Sequence, residues 1–131
     1  MKKIIFVLTS LVLAGMFAAF TIFAAPFDDV VSAIRKGDAA GLSRFMDNSI
    51  DITMSGKSAS YSKAQAEIIL KDFFAKNQVK SIEIIHKVES NNGSVMAVGN
   101  MTTSGGNYRT TIYVLKKGNN TVLNELKFEN K

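Results

Sequence analysis

The chain has 131 residues, of which 47% are apolar, and its 16 Lys and Arg against 11 Asp and Glu give a formal charge of +5. This length corresponds to a single domain. The apolar residues are unevenly distributed, with 19 among residues 1–25 and 42 in the other 106. Without Lys2 and Lys3 the positive excess falls to +3, so the charge does not indicate a nucleic-acid-binding protein. The absence of Cys excludes disulfide bonds and a lipid-modified Cys.

Residues 1–25 have the pattern of an export signal. Lys2 and Lys3 form a short positive segment, and the next 22 residues, 4–25, carry no charge. The small-residue cleavage pattern is poorly formed, because Phe23 stands two residues before Ala25. An uncleaved anchor is the alternative, since about 20 apolar residues cross a bilayer. We therefore expect residues 26–131 to form one domain that is periplasmic or extracellular, or held at the inner membrane through residues 4–25 and facing the periplasm.

The folded part begins with two predicted helices that form a corner. Apolar residues at helical spacing predict a helix over residues 27–36. Gly37 suits the left-handed conformation that closes a helix, and Asp38 is a suitable N-cap for a second, shorter helix. The second helix is expected to carry Leu42, Phe45 and Met46.

A longer helix is predicted over residues 63–76. Ser62 and Gln65 have the spacing of a capping box, in which each side chain bonds the backbone amide of the other residue. The apolar face of this helix comprises Ala66, Ile69, Leu70, Phe73 and Phe74. Before the helix, alternation over residues 51–54 predicts a short strand, and residues 55–60 are expected to be a loop.

From residue 80 onward the apolar period changes to two, which is typical of strands. Four β-rich segments follow one another, separated by turns rich in Gly and Asn. We therefore predict an α+β fold: a curved, four- to five-stranded antiparallel sheet with the long helix and the helical corner packed in its concave face.

The face of the sheet away from the helices is unusually apolar for a solvated surface. Met96 and Val98 alternate with residues of the helix-facing side, and Tyr113 and Leu115 do the same on the following strand. A second copy of the protein could cover this face, making a homodimer. Alternatively, these residues are simply good strand formers.

His86 is the only histidine and the main candidate for catalysis. Its position two and four residues after Ile84 and Ile82 predicts that it shares their helix-facing side. There, imidazole could act as a general acid or base. The alternative is a half-buried histidine with a structural hydrogen bond. One His and no Cys make a metal site improbable, and no motif predicts a cofactor.

Several segments resemble a known family of exported bacterial proteins, domain of unknown function family 4783. They are Tyr-Ser-Lys-Ala-Gln-Ala-Glu at 61–67, Lys-Asp-Phe-Phe at 71–74, His86, Gly-Asn-Met-Thr-Thr at 99–103, Asn-Tyr-Arg at 107–109 and Glu-Leu-Lys-Phe-Glu at 125–129. The resemblance covers nearly all of the chain after residue 25. It implies the cone-shaped fold of the nuclear transport factor two-like, or cystatin-like, superfamily, and no activity. Where the family pattern often has Gly two residues after the His, this chain has Val88.

Two functional hypotheses remain. In the first, which we favour, the domain is a non-enzymatic module that binds a small apolar ligand or an envelope protein. In the second, it is a small acid/base enzyme of the ketosteroid-isomerase or polyketide-cyclase kind that uses His86. Candidate ligand-binding residues are Phe73, Phe74, His86, Tyr108 and Tyr113. Nucleic acid is not an expected partner, because the basic residues lack a platform of stacking aromatic side chains.

Overall fold

The computed structural model describes residues 26–131, so the predicted export signal lies outside the described residues. The helices are α1 (Pro26–Lys36), α2 (Ala39–Ser43) and α3 (Lys63–Lys76). The strands are β1 (Met46–Met54), β2 (Lys57–Ser62), β3 (Val79–Glu89), β4 (Val95–Thr103), β5 (Gly106–Lys117) and β6 (Asn120–Asn130). Within this range no helix is both long and apolar enough to cross a membrane.

The strands form one curved, unclosed sheet in the order β2-β1-β6-β5-β4-β3. The predicted antiparallel meander of β3 to β6 is confirmed. The sheet has six strands where four to five were predicted, and β1 pairs with β6 in parallel. The face that packs against the helices is called the inner face below, and the opposite face is called the outer face.

The predicted helix boundaries follow from local hydrogen bonds. Gly37 has a positive φ of 64° at the end of α1, and Asp38 accepts a hydrogen bond from the Gly41 amide at the start of α2. Both bonds of the capping box between Ser62 and Gln65 are present. The prediction for the second helix was too long, because α2 ends at Ser43.

The residues after α2 form the start of β1 instead of a helix. Phe45 lies in the connecting turn, where its carbonyl accepts a hydrogen bond from the Leu123 amide at 2.6 Å. Met46 is already a strand residue and is paired with Leu123. The apolar character of both residues was predicted correctly, but pairing with β6 determines their conformation. Tertiary contacts override the weak local helix preference here.

Strand β2 was wrongly predicted as a loop. Ser55 and Gly56 both have positive φ, 52° and 76°, which is the geometry of a two-residue hairpin turn. The chain therefore folds back and pairs Lys57 with Met54. β2 lies at the edge of the sheet and its residues are mostly exposed, so the segment has no apolar alternation that would indicate a strand.

The core lies between the helices and the inner face. Its centre is Phe128, which is fully buried on β6 and stacks on Phe73 of α3 with ring centroids 4.5 Å apart. Phe74 meets Phe128 edge to face at 6.4 Å, and Tyr108 meets Phe73 edge to face at 5.3 Å. We call Phe73, Phe74, Tyr108 and Phe128 the aromatic cluster. It fills the concave side of the sheet beneath α3.

Candidate functional site

His86 lies on the outer face, so its predicted place beside Ile82 and Ile84 was wrong. Ile84 pairs with Gly99, but His86 pairs with Val98, the next residue along β4, which leaves Ile85 as the extra residue of a β-bulge. One extra residue shifts the alternation by one position. His86 is accordingly exposed, whereas Ile82 is buried.

Lys87 moves to the inner side of the same strand for the same reason. It pairs with Ala97, which is fully buried, and its ammonium lies 4.6 Å from the centre of the Phe27 ring of α1. Such a contact is a favourable cation–π interaction. The bulge therefore exchanges the faces of His86 and Lys87 relative to the simple period of two.

One signal in the sequence points to this irregularity. Gly99 stands in the middle of β4, where a glycine often marks a bulge or a close approach of two backbones. A Cβ atom at this position would lie 2.9 Å from the Glu83 carbonyl oxygen on β3 and 3.2 Å from the Ile84 side chain. Gly99 thus permits the close contact between β4 and β3 just before the bulge.

The aromatic candidates for ligand binding form packing contacts instead of walls of an internal cavity. Tyr108 belongs to the aromatic cluster, and its hydroxyl donates a hydrogen bond to Asn77 Oδ1 at 2.9 Å. The Asn77 amide nitrogen in turn donates to the Phe73 carbonyl at 3.1 Å. These bonds tie the end of α3 to β5. The structure therefore brings Phe73, Phe74 and Tyr108 together, and places His86 and Tyr113 on the other side of the sheet.

Two open grooves flank α3 on its solvent side. The larger has a volume of 620 Å³ and lies between α3 and the helical corner, with Phe74 and Lys71 in its wall. The other has a volume of 440 Å³ and is lined by Phe73 and Asn77 among others. Ile68 contributes to both grooves and is 69% exposed.

A second apolar surface lies on the outer face, near the β3 edge of the sheet. Ile85, Val88 and Met96 are 52%, 51% and 45% exposed. Together with Ile68, they are the exposed large apolar residues of residues 26–131. Val88 pairs with Met96, and Met96 pairs with the half-buried Tyr113, so these side chains form a continuous row across three strands. We call Ile85, Val88, Met96, Val98 and Tyr113 the outer patch.

Charged residues border the outer patch on the same face. The next row along the strands joins Glu83, Asn100 and Arg109, which occupy neighbouring positions on β3, β4 and β5. On β6, the Glu125 carboxylate lies 3.9 Å from the Lys127 ammonium. In residues 26–131, no group of three or more His, Cys, Asp and Glu side chains could hold a metal ion.

The architecture is that of an α+β domain in which a long helix and a helical corner pack on the concave face of a curved sheet. The model of a protein family described as "Domain of unknown function (DUF4783)" matches residues 27–129. The chain therefore belongs to the DUF4783 family, and the resemblance in its sequence is confirmed. No curated protein matches the chain in sequence.

Solved structures agree with this assignment. A DUF4783 family protein from Bacteroides ovatus has 23% identity and a TM-score of 0.74, over 79% of this chain and 93% of that chain. An NTF-2 like protein of unknown function from Silicibacter pomeroyi has 16% identity and a TM-score of 0.56, over 94% and 98%. A domain of unknown function with a cystatin-like fold from Nostoc punctiforme has 12% identity and a TM-score of 0.61, over 80% and 72%. At these identities the likeness concerns the fold alone.

Proposed function

We propose that this chain is an exported, non-enzymatic protein-binding module of the bacterial envelope, and that its contact surface is the outer patch. The observation that carries the proposal is the exposure of Val88 and Met96, which are paired across β3 and β4, together with the exposure of Ile85 at the bulge of β3. A contiguous exposed apolar surface bordered by polar residues is typical of an interaction site.

A protein partner fits this surface better than a small ligand does. A ligand pocket encloses most of its ligand, about 70–90% of the ligand's surface. The aromatic cluster occupies the concave side of the sheet, where such a pocket would lie, and the grooves along α3 are open to solvent. The outer patch lies on the opposite, convex face, and the faces of sheets commonly pack against other layers of protein structure.

The acid/base enzyme is not supported by the position of His86. General acid or base catalysis requires the imidazole to reach a substrate in a site that excludes water, beside a group that stabilises the developing charge. His86 is exposed on the outer face, and Val98 is its direct neighbour on β4. The residues Phe73, Phe74 and Tyr108 lie across the sheet from it.

We also propose that the protein is exported, because residues 1–25 have the pattern of an export signal. Lys2 and Lys3 followed by 22 uncharged residues support passage through the inner membrane. The lack of Cys is compatible with a domain that folds outside the cytoplasm without disulfide bonds. Fractionation of cells that express the full chain tests this directly, since we expect the protein in the envelope fraction and not in the cytoplasm.

Site-specific photo-cross-linking tests the contact surface. A photoreactive amino acid is placed at Met96 in the full chain, and a matched variant carries it at Ile68, which is even more exposed. We expect protein adducts from position 96 in cells and few from position 68. Adducts at both positions alike, or none at position 96, would overturn the proposal.

Mass spectrometry of the purified protein under non-denaturing conditions should show no bound small molecule.

A further inference from the structure

We infer that His86 makes binding at the outer patch depend on pH, so that the patch binds its protein partner near neutral pH and releases it in acidic surroundings. This inference rests on the proposed function, since it concerns the regulation of the same surface. His86 is the only histidine of the chain, and imidazole is the side chain that ordinarily changes charge between about pH 5 and 8. Its position in the sheet places it beside the apolar residues of the patch.

Three neighbours of His86 in the sheet belong to the outer patch. Val98 is its direct cross-strand partner on β4, and Ile85 immediately precedes it at the bulge. Val88 lies two residues further along β3 and therefore shares the outer face. His86 is exposed, so a protein surface that covers Ile85, Val88 and Val98 would cover the imidazole as well.

On β3 itself, one acidic residue shares the outer face with His86. Glu83 lies in the next row of the sheet and is exposed. Lys87 and Glu89 lie on the inner side of the strand, where their charged groups are 3.1 Å apart and pair with each other. Helix α1 packs against β3 on that inner side too, and its Arg35 guanidinium donates to a backbone carbonyl of the strand at 3.4 Å. These inner groups are separated from the imidazole by the sheet.

The strands beside β3 bring no charge next to the imidazole. The paired strand β4, Val95–Thr103, contains no ionisable side chain. Beyond it, Arg109 on β5 and Glu129 on β6 are direct cross-strand neighbours in the row of Glu83, so their opposite charges are adjacent. No ion pair within residues 26–131 includes His86. A proton on His86 would therefore add a positive charge that the exposed Glu83 alone is placed to offset.

Burial under a protein partner favours the neutral imidazole. Removing a charged group from water costs free energy unless an opposite charge accompanies it, and the centres of interfaces are poor in charged residues. A neutral imidazole has an apolar body that packs against aliphatic side chains. Because imidazole ordinarily changes charge near about pH 6.5, a fall from about pH 7.5 to about pH 5.5 crosses this range and should weaken binding.

Photo-cross-linking from position 96 at two pH values tests the inference. Cells that express the full chain with the photoreactive amino acid at Met96 are irradiated in medium at about pH 7.5 and at about pH 5.5, on either side of the imidazole range. With His86 present, the yield of protein adduct should be roughly 3–10-fold lower at the acidic pH. In His86→Gln, whose side chain stays neutral, the two yields should agree within about twofold. In His86→Arg, whose side chain stays charged, the yield should be low at both pH values.

The possible outcomes separate this inference from the proposed function. If His86→Gln shows the same fall in yield as the protein with His86, the pH dependence belongs to the partner, so the inference is wrong and the proposed function stands. Equal yields at both pH values with His86 present would overturn the inference in the same way. If position 96 gives no adducts at either pH, both are wrong. Circular dichroism of each purified variant at both pH values checks that the fold is retained, as expected for changes at an exposed residue.

Discussion

Phe128 on β6 is the most deeply buried residue of the aromatic cluster. It is fully buried and stacks on Phe73, with Phe74 against its edge. Phe128→Ala would remove these contacts and leave a cavity, which costs about 3–5 kcal/mol of unfolding free energy. Urea denaturation measures this loss. Phe45→Ala, at a half-buried position outside the cluster, should cost clearly less, and equal losses would show that the cluster does not dominate the core.

The exposed ion pair between Lys117 and Asp47 predicts a pH dependence of stability. Lys117 donates a hydrogen bond to Asp47 at 2.8 Å, and this bond lowers the pKa of the Asp47 carboxyl below its ordinary value. A lowered pKa in the folded state stabilises the protein at pH values above the ordinary pKa of Asp, about 3.9. That contribution is lost as the pH falls through the lowered pKa.

The change Asp47→Asn tests this pair. Near neutral pH the variant should unfold slightly more easily than the unchanged protein, and the difference should shrink as the pH is lowered through about 4 to about 2. The effect is small because both side chains are exposed, and added salt should reduce it further. Thermal unfolding across this pH range measures it. A difference that grows toward low pH would contradict the assignment.

Helices and strands whose ends are determined by neighbouring residues were predicted correctly from the sequence. The capping box of Ser62 and Gln65 and the apolar spacing after it defined α3 correctly. The turns rich in Gly and Asn defined the meander in the same way. β2 was missed because an exposed edge strand needs no apolar alternation, and its pairing depends on the positive φ of Ser55 and Gly56. Nothing in the residue pattern of the hairpin separated it from a loop.

The bulge at Ile85 was not predicted, and of all the prediction errors this one has the largest consequence for the candidate site. A strict period of two predicts His86 on the inner face. The extra residue in β3 places it on the outer face instead. The candidate site therefore changed from a histidine within the cone to an apolar surface outside it. Of that surface, Met96, Val98 and Tyr113 were identified from sequence as residues of the second face, whereas Ile85 and Val88 were not.

The contact at Gly99 provides a test of the local geometry before the bulge. Gly99→Ala would place a methyl group 2.9 Å from the Glu83 carbonyl oxygen, a backbone atom that cannot rotate away. We expect a loss of about 1–3 kcal/mol in unfolding free energy, measured by urea denaturation. Gly56→Ala has open space around it and suffers only the strain of positive φ, which costs about 1–2 kcal/mol. An unchanged stability for Gly99→Ala would mean that β3 and β4 do not approach so closely.

At the scale of the whole molecule, the two faces of the sheet have different roles. The inner face, α3 and the aromatic cluster form a packed core, which accounts for most of the buried apolar residues. The outer face of β3 to β5 carries the outer patch. Membership of the DUF4783 family fixes the fold and assigns no activity, so the function must be argued from this surface.

The accessibility of position 96 in living cells shows whether a protein binds at the outer patch. The chain contains no Cys, so Met96→Cys and Ile68→Cys each introduce a single thiol at an exposed position. The rate of maleimide labelling of each variant is measured in intact cells whose outer envelope admits the reagent. It is compared with the rate for the same purified variant in highly dilute solution. If the outer patch binds a protein, labelling at position 96 should be several-fold slower in cells, while labelling at position 68 should be unchanged. Equal rates at position 96 in cells and in dilute solution would show that no protein binds at the outer patch.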